Sequence, residues 1–422
     1  MKWWSKLGHG KHVIESLIDK AKHLDQADPL SGIRRQFVLN DGEVYLDGNS
    51  LGALPKLVRD RLAQTIDHEW GHRQIRSWNE SWIDLPQQAA RKVADIVGAP
   101  ADDVIFADSV SINLFKLMAA AVYTLPSRPK ILSAKDMFPT DLYIAQGLKQ
   151  LLGERRCDVE LCDFRELQAH LSDQVSVVVL SQVNFRTGEA YDIERVTQLV
   201  HRCGARIIWD VSHSVGVLPI NLQANQVDYA VGCGYKFLNG GPGAPAFAYV
   251  RPDLQDQLDQ PLSGWMGHKN PFAFVNQYEP AAGVNRLLSG TPNILSLASL
   301  DAALDLYKNI ELPAVFSKAQ ALAAFFIEAV KSSETLSDIS VIEQANRGAQ
   351  VSLRHPEAHA IVQALIQDGV IGDFRSPDIA RFGFAPLYVS FEDVAIAVTK
   401  LVQIMQNQTY SQPEFQEVSK VT

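Results

Sequence analysis

The chain has 422 residues, 46% hydrophobic and 21% charged, a composition that fills a core and disfavours intrinsic disorder. Its 39 basic and 48 acidic residues give a net charge of −9 with no dense Lys/Arg cluster, which disfavours a nucleic-acid surface and points to a small-molecule partner. No apolar run reaches membrane-spanning length and Met1-Lys2-Trp3-Trp4-Ser5-Lys6 lacks a signal-peptide core, so a cytosolic protein is expected, with Cys157, Cys162, Cys203 and Cys233 reduced and free of CxxC spacing.

Residues 1–45 read as a helix and lead-in. Beyond them, short β-branched runs alternate with helical patterns, the signature of a parallel sheet wrapped by helices. Strands are expected at 104–107, 130–133, 176–181, 206–210, 227–231 and 246–250, with an apolar helical stretch at 114–122. Ile193, Val196, Leu199 and Val200 line one helical face before Gly204 ends the turn, which makes a βαβ unit. From about residue 296 long helices take over, with short strands near 350–353 and 386–389. The expected division is a lead-in (1–45), a large domain (46–295) and a small C-terminal α/β domain (296–422) ending in a loose polar tail of a dozen residues with Pro413.

His68-Glu69-Trp70-Gly71-His72 matches the zinc-protease pattern H-E-x-x-H. Gly71 interrupts the helix such a site needs and no third ligand follows at a suitable spacing, so the expected reading is a polar helix end and no metal is assigned. Asp108-Ser109-Val110-Ser111-Ile112-Asn113 follows a strand and opens a helix; its free N–H groups and the Ser111 hydroxyl suit a phosphate, and an ordinary serine N-cap fits the same residues. Phe138-Pro139-Thr140-Asp141 offers an aromatic ring with an acid three residues on. The strand at 206–210 ends on Asp210, and 26 residues later Lys236 stands between an aromatic strand end and the loop Gly240-Gly241-Pro242-Gly243. That loop lacks the G-K-[S/T] ending of a P-loop, and Pro242 and Pro245 remove backbone donors that a phosphate cradle needs. An acid after a strand and a lysine before a tight loop suit a pyridoxal phosphate pocket, where the acid keeps the pyridine nitrogen protonated and the lysine forms a Schiff base with the aldehyde. Ligands in such sheets sit beyond the carboxyl ends of the strands, where Ser181, Asp210 and the approach to Lys236 fall.

With Tyr45-Leu46-Asp47-Gly48-Asn49-Ser50-Leu51-Gly52, Ile75-Arg76-Ser77-Trp78-Asn79, Gly264-Trp265-Met266-Gly267-His268 and Arg381-Phe382-Gly383-Phe384-Ala385-Pro386-Leu387-Tyr388, these segments resemble, in order, the motifs of the kynureninase family, pyridoxal phosphate enzymes of fold type I in the class V aminotransferase group. The resemblance runs from about residue 29 to 404. It implies an α/β fold with a mainly parallel seven-stranded sheet sandwiched by helices, and a smaller C-terminal α/β domain. It also implies hydrolysis of the Cβ–Cγ bond of L-kynurenine to anthranilate and L-alanine, in tryptophan catabolism and the routes it feeds, NAD synthesis among them.

Lys236 resembles the Schiff-base lysine that moves the Cα proton, Asp210 the partner of the pyridine nitrogen with Asp141 close by, and Phe138 the ring stacked on the cofactor. Val110, Ser111, Ser181, His213 and Tyr235 resemble the remaining cofactor contacts, several around the phosphate, with Tyr235 also a proton donor. Trp265 and Thr291 resemble residues that reach the cofactor of the other subunit, which implies a homodimer with shared active sites. Arg381 resembles the arginine that holds the substrate α-carboxylate, a task its planar fork suits, and Ser50 belongs to the same substrate site. Trp78, Gly290 and Thr291 resemble the bacterial type that prefers L-kynurenine to its 3-hydroxy form. Ser212 and Met266 depart from the usual residues without removing a group the chemistry requires. The alternatives are a cysteine desulfurase or selenocysteine lyase-like enzyme, which needs a nucleophilic cysteine in the last third of the chain, where none follows Cys233, and a non-catalytic pyridoxal phosphate-binding protein.

Overall fold

The computed structural model describes residues 4–417; Met1 to Trp3 of the N-terminal hexapeptide and the last five residues of the polar tail lie outside the described residues. Seven strands form the main sheet: β1 (Val104–Phe106), β2 (Lys130–Ala134), β3 (Asp158–Cys162), β4 (Val175–Ser181), β5 (Arg206–Asp210), β6 (Tyr229–Cys233) and β7 (Ala246–Val250). Their spatial order is β1-β7-β6-β5-β4-β2-β3; β7 runs antiparallel to both neighbours and every other pairing is parallel.

The central strands are apolar on both faces because both are covered. Val178, Leu180, Ile207 and Trp209 pack into the core that includes Ile193, Val196 and Val200 of the helix Ile193–Arg202. The alternate residues Val177, Val179 and Ile208 pack into a second core with α1 (Val110–Thr124) and α2 (Pro139–Leu152). The Ile193–Arg202 helix, α3, is capped by the Asp192 carboxylate, which accepts the Arg195 N–H at 3.0 Å.

The smaller antiparallel sheet has the order β8-β9-β11-β10, from β8 (Ser340–Val341), β9 (Gln350–Arg354), β10 (Asp373–Arg375) and β11 (Ile379–Gly383). It packs with α4 (Leu312–Ser332), α5 (Ala358–Gln367) and α6 (Phe391–Asn407). The N-terminal helix Trp4–Ala27 lies against α6, where the Asp25 carboxylate accepts the Phe391 and Glu392 N–H groups at 2.8 and 2.9 Å. Val44–Tyr45 pairs in parallel with Val370–Ile371, so the chain leaving the lead-in is stitched to this sheet's side of the molecule. Among the described residues, α4 alone is long and apolar enough to cross a membrane, and Val315, Leu322, Phe326 and Val330 are buried within the fold.

The chain departs from expectation at four places. Residues 386–389 form a turn closed by the Tyr388 and Val389 N–H groups on Ala385 O (3.2 and 2.9 Å), and the strand lies before it, at Ile379–Gly383. Leu387, Tyr388 and Val389 are buried as a strand's residues would be, which is why composition alone misplaces the element. The edge strand β3 was not expected; its Asp-Val-Glu-Leu-Cys run is short and partly polar, as an edge strand tolerates. β6 starts two residues later than 227, because Val227 packs in the preceding turn and the buried Asp228 carboxylate there takes His201 Nε2 at 2.7 Å and the Ile207 N–H at 2.9 Å. The described part of the tail is docked, with Phe415 buried in the main core.

Candidate active site

Parallel pairing in register puts the ends of neighbouring strands side by side: Ser181 opposite Asp210, and Asp210 opposite Val231. At this carboxyl edge one cavity is lined by Val110, Ser111, Phe138, Asp141, Ser181, Asp210, His213, Tyr235 and Lys236, all the cofactor residues expected within one subunit, and by Ser109, Thr140, Phe185 and Cys233. Lys236 reaches it from the loop after β6, which folds tightly through Gly234 N–H to Pro245 O (3.0 Å) and Gly240 N–H to Gly234 O (2.9 Å). A Cβ on Gly240 would stand 2.7 Å from Gly234 O, so the loop requires glycine there. The strap 47–52 closes against the same turn: Gly52 N–H donates to Tyr235 O at 2.8 Å, and a Cβ on Gly52 would meet Lys236 O at 2.3 Å.

Lys236 Nζ lies 2.8 Å from His213 Nε2, and His213 Nδ1 lies 3.1 Å from Gln350 Oε1. Gln350 donates its amide to the carbonyls of Asn184 (3.3 Å) and Phe185 (3.0 Å), which turns Oε1 toward the histidine and fixes the proton on Nδ1. Burial, then the Lys236 charge, holds His213 well below the usual imidazole range, so Nε2 accepts from Lys236. Burial pushes Asp210 upward against the opposing pull of Lys236 and Ser212, and pushes Asp141 far up with help from the Asp210 charge. The Tyr235 phenol is likewise pushed up, first by burial.

The donor set fits pyridoxal phosphate. Asp210 Oδ1 accepts the Ser212 N–H and hydroxyl at 2.8 and 2.5 Å, which leaves Oδ2 for a pyridinium N–H; a cation there reverses the burial penalty. Asp141 Oδ1 is buried with no hydrogen-bond partner. At the start of α1 the Ser109 hydroxyl caps Ile112 N–H at 3.4 Å, and the first main-chain bond of the helix is Asn113 N–H to Ser109 O, so the Val110 and Ser111 N–H groups precede it as free donors for a phosphate. The capping serine is Ser109, which leaves the Ser111 hydroxyl open to the cavity. The half-exposed Phe138 ring stands edge-on to Phe185, 5.3 Å between centroids, and lines the same space.

Arg381 and Ser50 do not line this cavity; they stand behind Phe185. Arg381 is 1% exposed and donates through Nη1 to Phe185 O at 2.5 Å, through Nη2 to Ser50 Oγ at 3.0 Å, and through Nε to Asp373 Oδ1 at 2.8 Å, with a further Nη2 bond to Asp373 Oδ2. The Ser50 hydroxyl donates to Asp373 Oδ2 at 2.8 Å, and Arg375 pairs with the same oxygen at 2.7 Å. The sequence reading missed Asp373, Gln350 and Phe185. Asp373 and Arg381 are cross-strand partners in the β10–β11 hairpin, so an acid eight residues before a buried arginine was the available signal. Trp78, Trp265, Gly290 and Thr291 are not brought to the cavity of the single chain: Trp78 packs edge-on against Trp82, Trp265 against Phe272, and Gly290 and Thr291 are exposed. In the H-E-x-x-H segment, Glu69 is bound by Arg61 at 2.6 Å and Trp82 Nε1 at 2.7 Å, while His68 and His72 are exposed.

The family model described as the kynureninase C-terminal domain matches residues 315–401. The kynureninase of Deinococcus radiodurans is 46% identical over 391 residues, spanning 90% of this chain and 95% of its own, and that of Pseudomonas fluorescens is 43% identical over 408 residues, spanning 94% and 98%. Among solved structures, a cysteine desulfurase from Thermococcus onnurineus NA1 superposes with a TM-score of 0.76 at 18% identity over 89% of this chain and 98% of its own. One from Escherichia coli gives 0.75 at 20% identity over 90% and 98%, a likeness of fold. With nearly full-length relatives at more than two-fifths identity behind a site of this geometry, the chain belongs to the kynureninase family, pyridoxal phosphate enzymes of fold type I.

Proposed function

We propose that the cavity at the carboxyl edge of the sheet is where the chain hydrolyses L-kynurenine to anthranilate and L-alanine, a step of tryptophan catabolism. The observation that carries this reading is the meeting of Asp210 and Lys236, 26 residues apart in sequence, in one buried cavity beside an unpartnered Asp141 oxygen. Pyridoxal phosphate, when bound, supplies an electron sink for the substrate Cα and Cβ. Asp210 would keep the proton on its ring nitrogen, with Asp141, which accepts the Ser181 hydroxyl at 3.4 Å, beside it, and Phe138 would cover the ring face. Val110, Ser111 and Tyr235 would hold the phosphate. Lys236, delivered by its tight loop, moves the Cα proton; the neutral His213, fixed by Gln350, keeps the amine oriented and adds no second charge beside it. Arg381 and Ser50 take the α-carboxylate, and Phe185 links that site to the cavity through its carbonyl.

We further propose a homodimer, in which Trp265 and Thr291 reach the partner's cofactor and Trp78, Gly290 and Thr291 shape the aryl pocket; that none of them lines the cavity of its own chain supports this. We also propose a cytosolic enzyme divided as 1–45, 46–295 and 296–422; the parallel ladders of the main sheet all fall in the second segment, which supports the division there. The test is direct: protein reconstituted with pyridoxal phosphate and given L-kynurenine should release fluorescent anthranilate with one alanine per turnover, and no anthranilate would refute the reading.

A further inference from the structure

The charges around Arg381 leave one group without a role. Asp47, at the start of the strap 47–52, carries a buried Oδ1 with no hydrogen-bond partner, while its main-chain carbonyl accepts the Ser50 and Leu51 N–H groups at 2.9 and 3.0 Å. The groups facing it come from every neighbouring element: Asp373 and Arg375 from β10, Arg381 from β11, Ser50 from its own strap, Tyr45 from the strand before it and Tyr388 from the turn after β11. Both tyrosines are held neutral by burial, so the charged groups are two arginines and two carboxylates. Asp373 stays ionised: burial pushes it up, but its Arg381 bonds and the Arg375 charge together bring it below the usual carboxylate range.

With Asp47 ionised the cluster is neutral; with Asp47 protonated it carries one net positive charge. A single substrate carboxylate is matched by the second state and repelled by an extra buried anion in the first. We propose that Asp47 is a proton-linked positioning residue: binding of a carboxylate at Arg381 draws one proton from solvent onto Asp47, so carboxylate recognition and proton uptake are one event. The inference rests on the reading of Arg381 as the carboxylate anchor. Burial, then the Asp373 charge, pushes Asp47 up to about 7, so the empty site stands near its midpoint at neutral pH and a further anion drives protonation. The sign follows by linkage: as pH rises through the midpoint of the empty site, affinity for the carboxylate falls, approaching about tenfold per pH unit until the bound state also loses its proton.

The probe is 4-(2-aminophenyl)-4-oxobutanoate, which keeps the aryl ketone and the carboxylate but has no α-amine to titrate. Its Kd is measured on the holoenzyme from about pH 6 to 9, with calorimetry in two buffers of different ionisation enthalpy to count protons. The expected result for the unaltered protein is a Kd that rises with pH and an uptake approaching one proton per site on the alkaline side. Asp47→Asn should keep the tight Kd across the range and take up no proton. Arg381→Gln separates the two readings: lost affinity at every pH upholds the anchor, and unchanged affinity removes it. An anchored carboxylate with no proton uptake by the unaltered protein, or an Asp47→Asn profile parallel to it, overturns the proposal for Asp47 alone.

Discussion

Asp373→Asn tests whether the arginine behind the cavity is held by its cross-strand acid. Asp373 and Arg381 are each 1% exposed, so the change takes the bound anion from a buried guanidinium and leaves it Phe185 O, Ser50 and one amide oxygen as neutral partners, with Asp47 the carboxylate that remains in the cluster. Removing one member of a buried pair costs about 3–5 kcal/mol, since the other charge keeps its desolvation penalty. Unfolding entropy of roughly 2.1 cal/mol/K per residue over 422 residues converts that cost into a Tm lowered by about 3–6 °C. Losing the orienting bonds should also raise KM for L-kynurenine by about tenfold or more, one charged hydrogen bond being worth roughly 1.5–3 kcal/mol. Thermal unfolding of the holoenzyme and steady-state anthranilate fluorescence read the two effects. Adding Arg381→Met should restore much of the Tm, because a buried pair exchanged for apolar side chains is close to neutral, while the KM defect persists or deepens. A Tm within a degree of the unaltered protein together with an unchanged KM would refute the argument.

Lys236→Ala should abolish turnover and the lysine-linked visible absorbance while free cofactor still binds; an unchanged spectrum would reassign the lysine. Asp210→Ala should lower kcat by about 10²–10³, as loss of a main electrostatic stabiliser does, and activity within a few-fold would hand the nitrogen to Asp141. Gln350→Leu should free His213 Nδ1 and alter the pH profile of kcat more than KM; a pH profile superimposable on that of the unaltered protein would show that the tautomer is set elsewhere. Mixing inactive Lys236→Ala with an inactive Thr291 variant should restore partial activity through hybrid dimers, and a fully active monomer in light scattering would contradict the shared site.

The parts of the site that the sequence reveals are those bound to local geometry. Asp210 ends a run of apolar residues and Lys236 precedes a glycine-rich loop, so each announces a strand end, and a parallel sheet aligns such ends on one edge. Asp373, Gln350 and Asp47 are silent in one dimension because their meaning lies in pairing. Asp373 meets Arg381 only through the register of a hairpin, Gln350 reaches His213 across 137 residues, and Asp47 meets Asp373 only after its main chain bridges Gly383 at the end of β11. The misplaced strand at 386–389 has the same origin: its residues are apolar and buried, but whether such residues pair as a strand or coil as a turn is decided by neighbours in space.

The solved structures of like fold include cysteine desulfurases, so the scaffold alone leaves the chemistry open. The cysteines close the question in physical terms. A desulfurase works through an accessible thiolate, and here no cysteine follows Cys233. Cys233 itself borders the cavity, but it ends β6 with 1% exposure, and burial pushes its thiol up, away from the thiolate. Cys157 and Cys162 are buried elsewhere in the cores, the former pushed up to about 11. Cys203 follows α3, where its thiol donates to Val200 O at 3.1 Å, and does not line the cavity, so no cysteine stands there as a ready sulfur nucleophile and the cofactor, Lys236 and water are the groups the proposed cleavage draws on. That chemistry fits a substrate whose carbon–carbon bond is opened by adding water to a ketone, with Arg381 the proposed anchor of its carboxylate and its leaving group a stable arylamine acid.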